Sequence, residues 1–293
     1  MEHKNLSSFK MVAECGSISK AAKELGYAQP TVTFQIKQLE EELGILLFDR
    51  IGNHISLTEA GMTLLDYSSR IISLENEVKS IIKEDNTPSG TIRIASIDSL
   101  CANMLPPLIK DFSEHYPTVT ISASSVSKAE VLHRIANGSA DFGFYIDFDS
   151  PVDDYNTVLS ISNSLCFLCS PSHEVFRQES LNVRDLKGVP MIVTEKSCTY
   201  RNLLQQIFAQ NDVEFDVYFE SENTEVIKHF VEAGIGVAFL PEIVVKEELN
   251  EQKLYRLPVD VKIQSTYINA VYHKNKWLNP AMREFCKVLK NAY

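Results

Sequence analysis

The chain has 293 residues, 44% of them hydrophobic, and carries 28 Lys and Arg against 39 Asp and Glu for a formal net charge of -11 at pH 7. That length leaves room for two or three compact units with real cores, and no run approaches the roughly 18 apolar residues that cross a bilayer. The polar start, Met1-Glu2-His3-Lys4-Asn5, is no signal peptide, so a cytoplasmic protein with no membrane partner is expected rather than a secreted solute-binding protein.

A first amphipathic helix carrying Leu6, Phe9 and Val12 is expected to end near Gly16. Residues 17–37 then read as two short helices joined at Gly26, the layout of a helix-turn-helix. Ala21 and Ala22 permit close helix crossing, Gly26 can take the positive φ of a tight turn, and Pro30 suits a first helical turn. Counting about 100° per residue puts Val32, Ile36, Leu39 and Leu43 on the core side of the second helix. Pro30, Phe34, Lys37 and Glu41 lie opposite, flanked by Gln29, Thr31, Thr33 and Gln35.

If that helix enters a major groove, Gln29 and Gln35 suit adenine edges, while Thr31 or Thr33 suits a phosphate or a base. Phe34 points away from the core and either meets a thymine methyl or packs on a neighbouring loop or partner chain. The same layout occurs in helical hairpins that never meet DNA. Charge offers no support: residues 1–57 hold six Lys or Arg against seven Asp or Glu. Few fixed cations imply weak non-specific binding, with Lys10, Lys20 (beside Ser19), Lys37 and Arg50 as the phosphate candidates.

Leu46 to Ser56 reads as a two-stranded wing, and Leu57-Thr58-Glu59-Ala60-Gly61 opens a helix that runs without proline until Pro88. Leu57, Leu64, Ile71 and Val78 recur every seven residues, with Ala60, Tyr67, Leu74 and Ile81 three places after each. This is an a/d seam. A lone helix about 40 Å long has too little of its own chain nearby to cover it, so dimerisation is expected. Met62, Leu65, Ile72 and Ile82 widen the stripe.

Asn86-Thr87-Pro88-Ser89-Gly90 reads as a linker. Beyond it, strands are expected at 91–97, 118–124, 141–146, 165–169, 190–194, 214–220 and 237–240, and helices at 104–116, 129–137, 200–211 and 224–233. Such alternation implies parallel α/β sheet in two lobes. Ser96-Ile97-Asp98-Ser99 and Ser197-Cys198-Thr199-Tyr200-Arg201 occupy equivalent strand-to-helix turns, where N–H groups and hydroxyls suit an oxyanion and Arg201 adds a bidentate charge. Ser125 and Ser127 end another strand. All of these also serve as plain helix caps. Asp98 fits an anion poorly, and either caps a helix or balances a cationic group on a zwitterionic ligand.

Of the cysteines at 15, 101, 166, 169, 198 and 286, only Cys166-x-x-Cys169 has metal-like spacing, and it sits in an apolar strand where the two side chains face opposite ways. No metal or cofactor is expected. Cys198 near Arg201 suggests a lowered thiol pKa and hence a thiol-based sensor as an alternative. There is no P-loop, no G-x-S-x-G and no zinc-binding histidine spacing, which speaks against an enzyme.

The motifs Ala21-Ala22-Lys23-Glu24-Leu25, Gln29-Pro30-Thr31-Val32-Thr33, Gln35-Ile36-Lys37-Gln38-Leu39-Glu40 and Leu57-Thr58-Glu59-Ala60-Gly61 together resemble the LysR-type transcriptional regulators. Leu105-Pro106-Pro107, Tyr116-Pro117, Asp141-Phe142-Gly143 and residues 233–241 extend the likeness to the end of the chain. The resemblance implies a winged helix-turn-helix at 1–57, a linker and dimerisation helix at 58–87, and a two-lobed α/β effector-binding domain like periplasmic binding proteins at 88–293. Its first lobe would be about 91–161 and 266–293, its second about 162–265. The resemblance further implies a dimer or tetramer on double-stranded promoter DNA, RNA polymerase as a further partner, and a small anionic or zwitterionic effector in the cleft. Ser96, Ser99 and Thr199 stand where the family commonly puts effector-contacting hydroxyls. Departures from its pattern are Ala28 where Ser is common, Phe34 where Arg stands at or beside that position, and Asn53 and His54 in place of wing arginines.

Overall fold

The computed structural model describes every residue except 1, 52–53, 83–86, 149–153, 178 and 215. The chain forms two units: Met1–Asn86, with Ala136–Ser139 grouped to it, and the remainder.

In the N-terminal unit, α1 (His3–Cys15), α2 (Ile18–Leu25) and α3 (Gln29–Leu43) each stop at a left-handed glycine: Gly16, Gly26 and Gly44, at φ 59°, 68° and 69°. Glycine takes that conformation without a Cβ clash, which lets three helices turn sharply enough to share one core. Leu6, Phe9, Val12, Ala21, Ala22, Val32, Ile36 and Leu39 fill it. Leu43, expected there, is instead 40% exposed, because it is the last residue of α3 and lies past the core. Ser17 caps α2 by accepting from the Lys20 N–H, whereas Ala28 leaves α3 without a side-chain cap.

Strands β1 (Phe48–Ile51) and β2 (His54–Leu57) pair antiparallel, Phe48 opposite Leu57. Leu57 therefore belongs to the wing and packs on the unit's own core, so it does not open the helical seam. The helix α4 (Glu59–Ile82) starts two residues later. Thr58 sets that start: its hydroxyl accepts from the Gly61 N–H at 3.0 Å and donates to the Leu46 carbonyl at 2.8 Å. A Cβ on Gly61 would stand 2.1 Å from the Leu47 carbonyl oxygen, so the helix can approach the wing this closely only at glycine.

The second unit runs β3 (Gly90–Ser96), α5 (Asp98–Asn103), α6 (Leu105–His115), β4 (Val119–Ser125), α7 (Lys128–Ala136), β5 (Phe142–Asp147), β6 (Tyr155–Asn163) and β7 (Leu165–Cys169). It continues through β8 (Pro190–Val193), α8 (Thr199–Gln210), β9 (Asp216–Glu220), α9 (Thr224–Glu232), β10 (Val237–Pro241), α10 (Lys246–Asn250), β11 (Tyr255–Arg256), β12 (Thr266–His273) and α11 (Pro280–Ala292). One sheet has the order β4-β3-β5-β12-β6 and the other β11-β7-β10-β8-β9.

Neither sheet is all parallel, as the alternation implied. β3, β4 and β5 are parallel, but β12 pairs antiparallel with both β5 and β6. In the second sheet β8, β9 and β10 are parallel and β7 is antiparallel to β10. The reason is the crossover. The chain leaves the first sheet on β6, enters the second on β7 with only Ser164 between, and returns on β12. At that crossing Asn163 Nδ2 donates to Thr266 Oγ1 at 2.9 Å, and the Thr266 hydroxyl donates to the Asn163 carbonyl at 3.1 Å.

Asp141, just ahead of β5, is the densest charge contact of the first lobe. Its carboxylate accepts from the Arg93 backbone N–H at 2.8 Å and lies 3.2 Å from the Arg93 guanidinium and 2.7 Å from Lys276 Nζ. Burial alone would push the carboxyl up, but Lys276 and Arg93 outweigh it and hold it below the usual range. The depressed pKa means that the stabilisation is present above the unfolded carboxylate value and is lost as pH falls through the folded one. Asp141→Asn should cost about 3 kcal/mol near neutrality by leaving two cations without their partner. The deficit relative to the wild type should shrink in acid, read from denaturant midpoints at several pH values. Gly61→Ala should destabilise the N-terminal unit by about 1 to 3 kcal/mol, seen as a lower thermal midpoint of that unit.

Candidate functional site

The outward side of α3 carries Gln29, Pro30, Thr31, Phe34, Lys37 and Glu41, all exposed, with Thr33 half-buried beside them. Ser19 and Lys20, also exposed, stand on α2 next to its start. Ser19 Oγ donates to Gln29 Oε1 at 2.9 Å, tying the first turns of the two helices together. The Thr33 hydroxyl donates to the Gln29 carbonyl at 3.0 Å, and Lys37 Nζ lies 3.4 Å from Glu41. Phe34 is 64% exposed, and among the described residues no loop covers it.

Gln35 does not join this side. It is 8% exposed and its amide oxygen accepts from Ser8 Oγ at 2.6 Å, so the expectation of an adenine contact is corrected. Four residues ahead of Leu39, it lies only about 40° around the helix from that core position. Asn53 and the side chains of Arg50 and His54 lie outside the described residues.

The stripe on α4 divides in two. Ala60, Leu64 and Leu65 pack against the unit's own core. Tyr67, Ile71, Leu74 and Val78, like Met62, are exposed, Leu74 to 62%. The Ile81 and Ile82 side chains lie outside the described residues. Nearest the wing, the apolar surface is thus consumed within the chain, and farther along it is left for something else.

In the second unit a cavity of about 310 Å³ opens between the two sheets. Of the residues expected in the cleft, Asp98, Ser99, Ser125, Ser127, Cys198 and Thr199 line it. Ser96 and Arg201 do not. Ser96 is fully buried at the end of β3 and donates to the Ile97 carbonyl at 3.0 Å. Arg201 stands about 200° around α8 from Thr199, so its guanidinium turns away from the cavity and lies 3.9 Å from Glu220.

Three hydrogen bonds cross from lobe to lobe at this wall. Asp98 Oδ2 accepts from the Thr224 N–H and the Thr224 hydroxyl, both at 2.8 Å, and Thr199 Oγ1 donates to the Ile146 carbonyl at 3.1 Å. Asp98 is thus a cap, but on α9 of the other lobe rather than on its own helix. Ser127 accepts from the Glu130 N–H at 3.3 Å and caps α7.

The wall also includes Ser197 and Tyr200 of the expected turn, and Lys128, Glu195, Glu222 and Asn223, which the strand-to-helix argument did not name. The signal was available: Glu195 lies in the same turn as Cys198, and Glu222 and Asn223 lie in the equivalent turn between β9 and α9. Ligands collect at the carboxyl ends of such strands.

The Cys198 thiol does not have the lowered pKa expected beside Arg201. Burial pushes the Cys198 thiol up, and the hydrogen bonds from Thr194 and the Arg201 backbone do not offset it. Cys166 and Cys169 are pushed up to about 11 by burial in β7. Among the described residues no three His, Cys, Asp or Glu side chains could hold a metal, and no helix is long and apolar enough to cross a membrane.

Residues 3–62 match the family model of bacterial regulatory helix-turn-helix proteins of the lysR family, and residues 85–293 match that of the LysR substrate binding domain. The uncharacterized HTH-type transcriptional regulator YwqM of Bacillus subtilis is 30% identical over 100% of both chains. The HTH-type transcriptional activator CmpR of Synechocystis is 29% identical over 96% of this chain and 92% of its own. Among solved structures, a full-length OxyR from Pseudomonas aeruginosa superposes with a TM-score of 0.78 at 17% identity, covering 100% of this chain and 94% of that one. CbnR complexed with its target DNA gives 0.68 at 22% identity over 100% of both chains. With both parts of its length matched, the chain belongs to the LysR family of HTH-type transcriptional regulators.

Proposed function

We propose that this regulator binds a two-fold promoter site as a dimer or a dimer of dimers and alters that binding when a small-molecule effector occupies the cavity between its lobes. The observation that carries the DNA part is the two-sidedness of α3. Val32, Ile36 and Leu39 are buried, while Gln29, Thr31, Phe34 and Lys37 face solvent. In this reading Gln29, Pro30, Thr31, Thr33 and Phe34 meet the groove, and Ser19, Lys20, Lys37 and Arg50 meet phosphates. Residues 1–57 are the DNA-binding part, 58–87 the linker and 88–293 the effector-binding part, whose lobes exchange at Ser164. The relative CbnR, solved with its target DNA, supports the same use of this head.

Tyr67, Ile71, Leu74 and Val78 pair α4 with a second copy, which matches protein symmetry to a two-fold site. Effector in the cavity acts on the cross-lobe hydrogen bonds of Asp98 and Thr199, and through them on the spacing of the paired heads and on RNA polymerase. The protein works in the cytoplasm and as a regulator rather than an enzyme, and turnover of a cavity ligand would overturn that assignment. A half-buried Cys198 whose thiol is pushed up does not favour a thiol sensor.

Phe34→Arg should steepen the dependence of log affinity on log salt by about 0.9 for one added phosphate contact and widen sequence tolerance. Anisotropy titrations on operator and scrambled duplexes at several salt concentrations measure both, and unchanged selectivity would remove Phe34 from the base contacts. Leu74→Glu should give a monomer in sedimentation with operator affinity reduced on the order of a hundredfold through lost avidity. A Leu74→Glu dimer of wild-type affinity would take this stretch of α4 out of the interface.

A further inference from the structure

The cavity wall also has a charge, and that charge bears on what can occupy it. Asp98 from the first lobe and Glu195 and Glu222 from the second all contribute carboxylates. Lys128, the lysine among the lining residues, has its Nζ 2.6 Å from Asp147 Oδ2, so its charge is already answered. Two helix N-termini of the second lobe border the cavity: that of α8 has no side-chain cap, whereas the protein fills that of α9 with its own oxygens. Asp98 takes the Thr224 N–H, and Asn223 Oδ1 takes those of Glu225 and Val226.

Burial, with Glu222 and Asp98 adding like charge, pushes the Glu195 carboxyl up even though Ser197 and a backbone hydrogen bond work against the shift. Among the described lining residues the three carboxylates outnumber the single lysine, Lys128, which is paired with Asp147. A second observation is independent of charge. Ser99 Oγ is on the same wall, in a residue 1% exposed, and has no hydrogen-bond partner of good geometry, with the Tyr200 phenol as its polar neighbour. A buried hydroxyl left in that state costs free energy that a bound polar group would recover.

We propose that the effector is a small molecule bearing a protonated amine, its ammonium held among Asp98, Glu195 and Glu222 and another polar group reaching Ser99 Oγ. The proposal rests on reading this cavity as the effector site. An ammonium offers three donors and no acceptor, which complements carboxylates that can only accept. A dicarboxylate would meet three like charges, and any oxyanion, finding the α9 N-terminus taken, would have to sit at α8 beside Glu195.

The test uses the full-length protein at matched ionic strength, with putrescine, L-lysine, succinate and glucose as probes in calorimetric titrations and in operator-binding assays. At least one of the two amines should bind and shift operator affinity, and Glu195→Gln and Glu222→Gln should each weaken that binding about tenfold or more. Glu179→Gln, an exposed change outside the wall, should leave it unaltered. Binding of succinate or glucose with neither amine would overturn the amine assignment and leave the effector site standing. Amine binding untouched by both wall substitutions, or no amine binding at all, also overturns it. If no probe of any charge moves operator affinity and the wall variants bind operator as the wild type does, the effector reading itself fails.

Discussion

The buried pair Asn163 and Thr266 clasps the two strands by which the chain leaves and re-enters the first sheet of its larger unit. Each group satisfies the other, so a polar contact sits in the interior without the penalty of an unmade hydrogen bond. With only Ser164 between β6 and β7, the separation of the two sheets is set by the chain itself. The antiparallel strands, the facing turns and the cavity between them all follow from that crossing.

Once the sheets face each other, the carboxyl ends of their parallel strands deliver hydroxyls and carboxylates to one space. Helix N-termini there would ordinarily attract anions. Here Asp98 reaches across and takes the Thr224 N–H and hydroxyl, while Asn223 takes the next two N–H groups of α9, which joins the lobes and removes an anion seat. The same bond therefore gives the cavity its closure and its negative character.

The N-terminal unit depends on closeness at a different place. Gly61 lets the Leu47 carbonyl approach α4 within the space of a side chain, so the wing and the helix that follows it share a core with the three-helix motif. That contact consumes the first part of the apolar stripe and leaves Tyr67 to Val78 exposed. A head with six cations against seven acids has little general attraction for a phosphate backbone. Its recognition must come from the few side chains α3 turns outward and from the pairing of heads.

Local rules made much of this legible. The glycine stops, the small residues at the helix crossing, the heptad spacing and the strand-helix alternation are properties of neighbours a few residues apart, and periodicity reports them directly. The same rules placed Val32, Ile36 and Leu39 in the core, and Ser99, Ser125, Ser127 and Thr199 at strand ends that line the cavity. They failed where the deciding partner is distant in sequence. Gln35 is buried because Ser8 supplies its hydrogen bond, Leu57 belongs to a strand because Phe48 pairs with it, and Arg201 leaves the cleft for Glu220. The sequence by itself determined the elements, their order and the family to which they belong. Only the tertiary structure decided that Asp98 caps a helix of the opposite lobe and that the cavity is acidic, because those outcomes depend on which turns the crossover brings face to face.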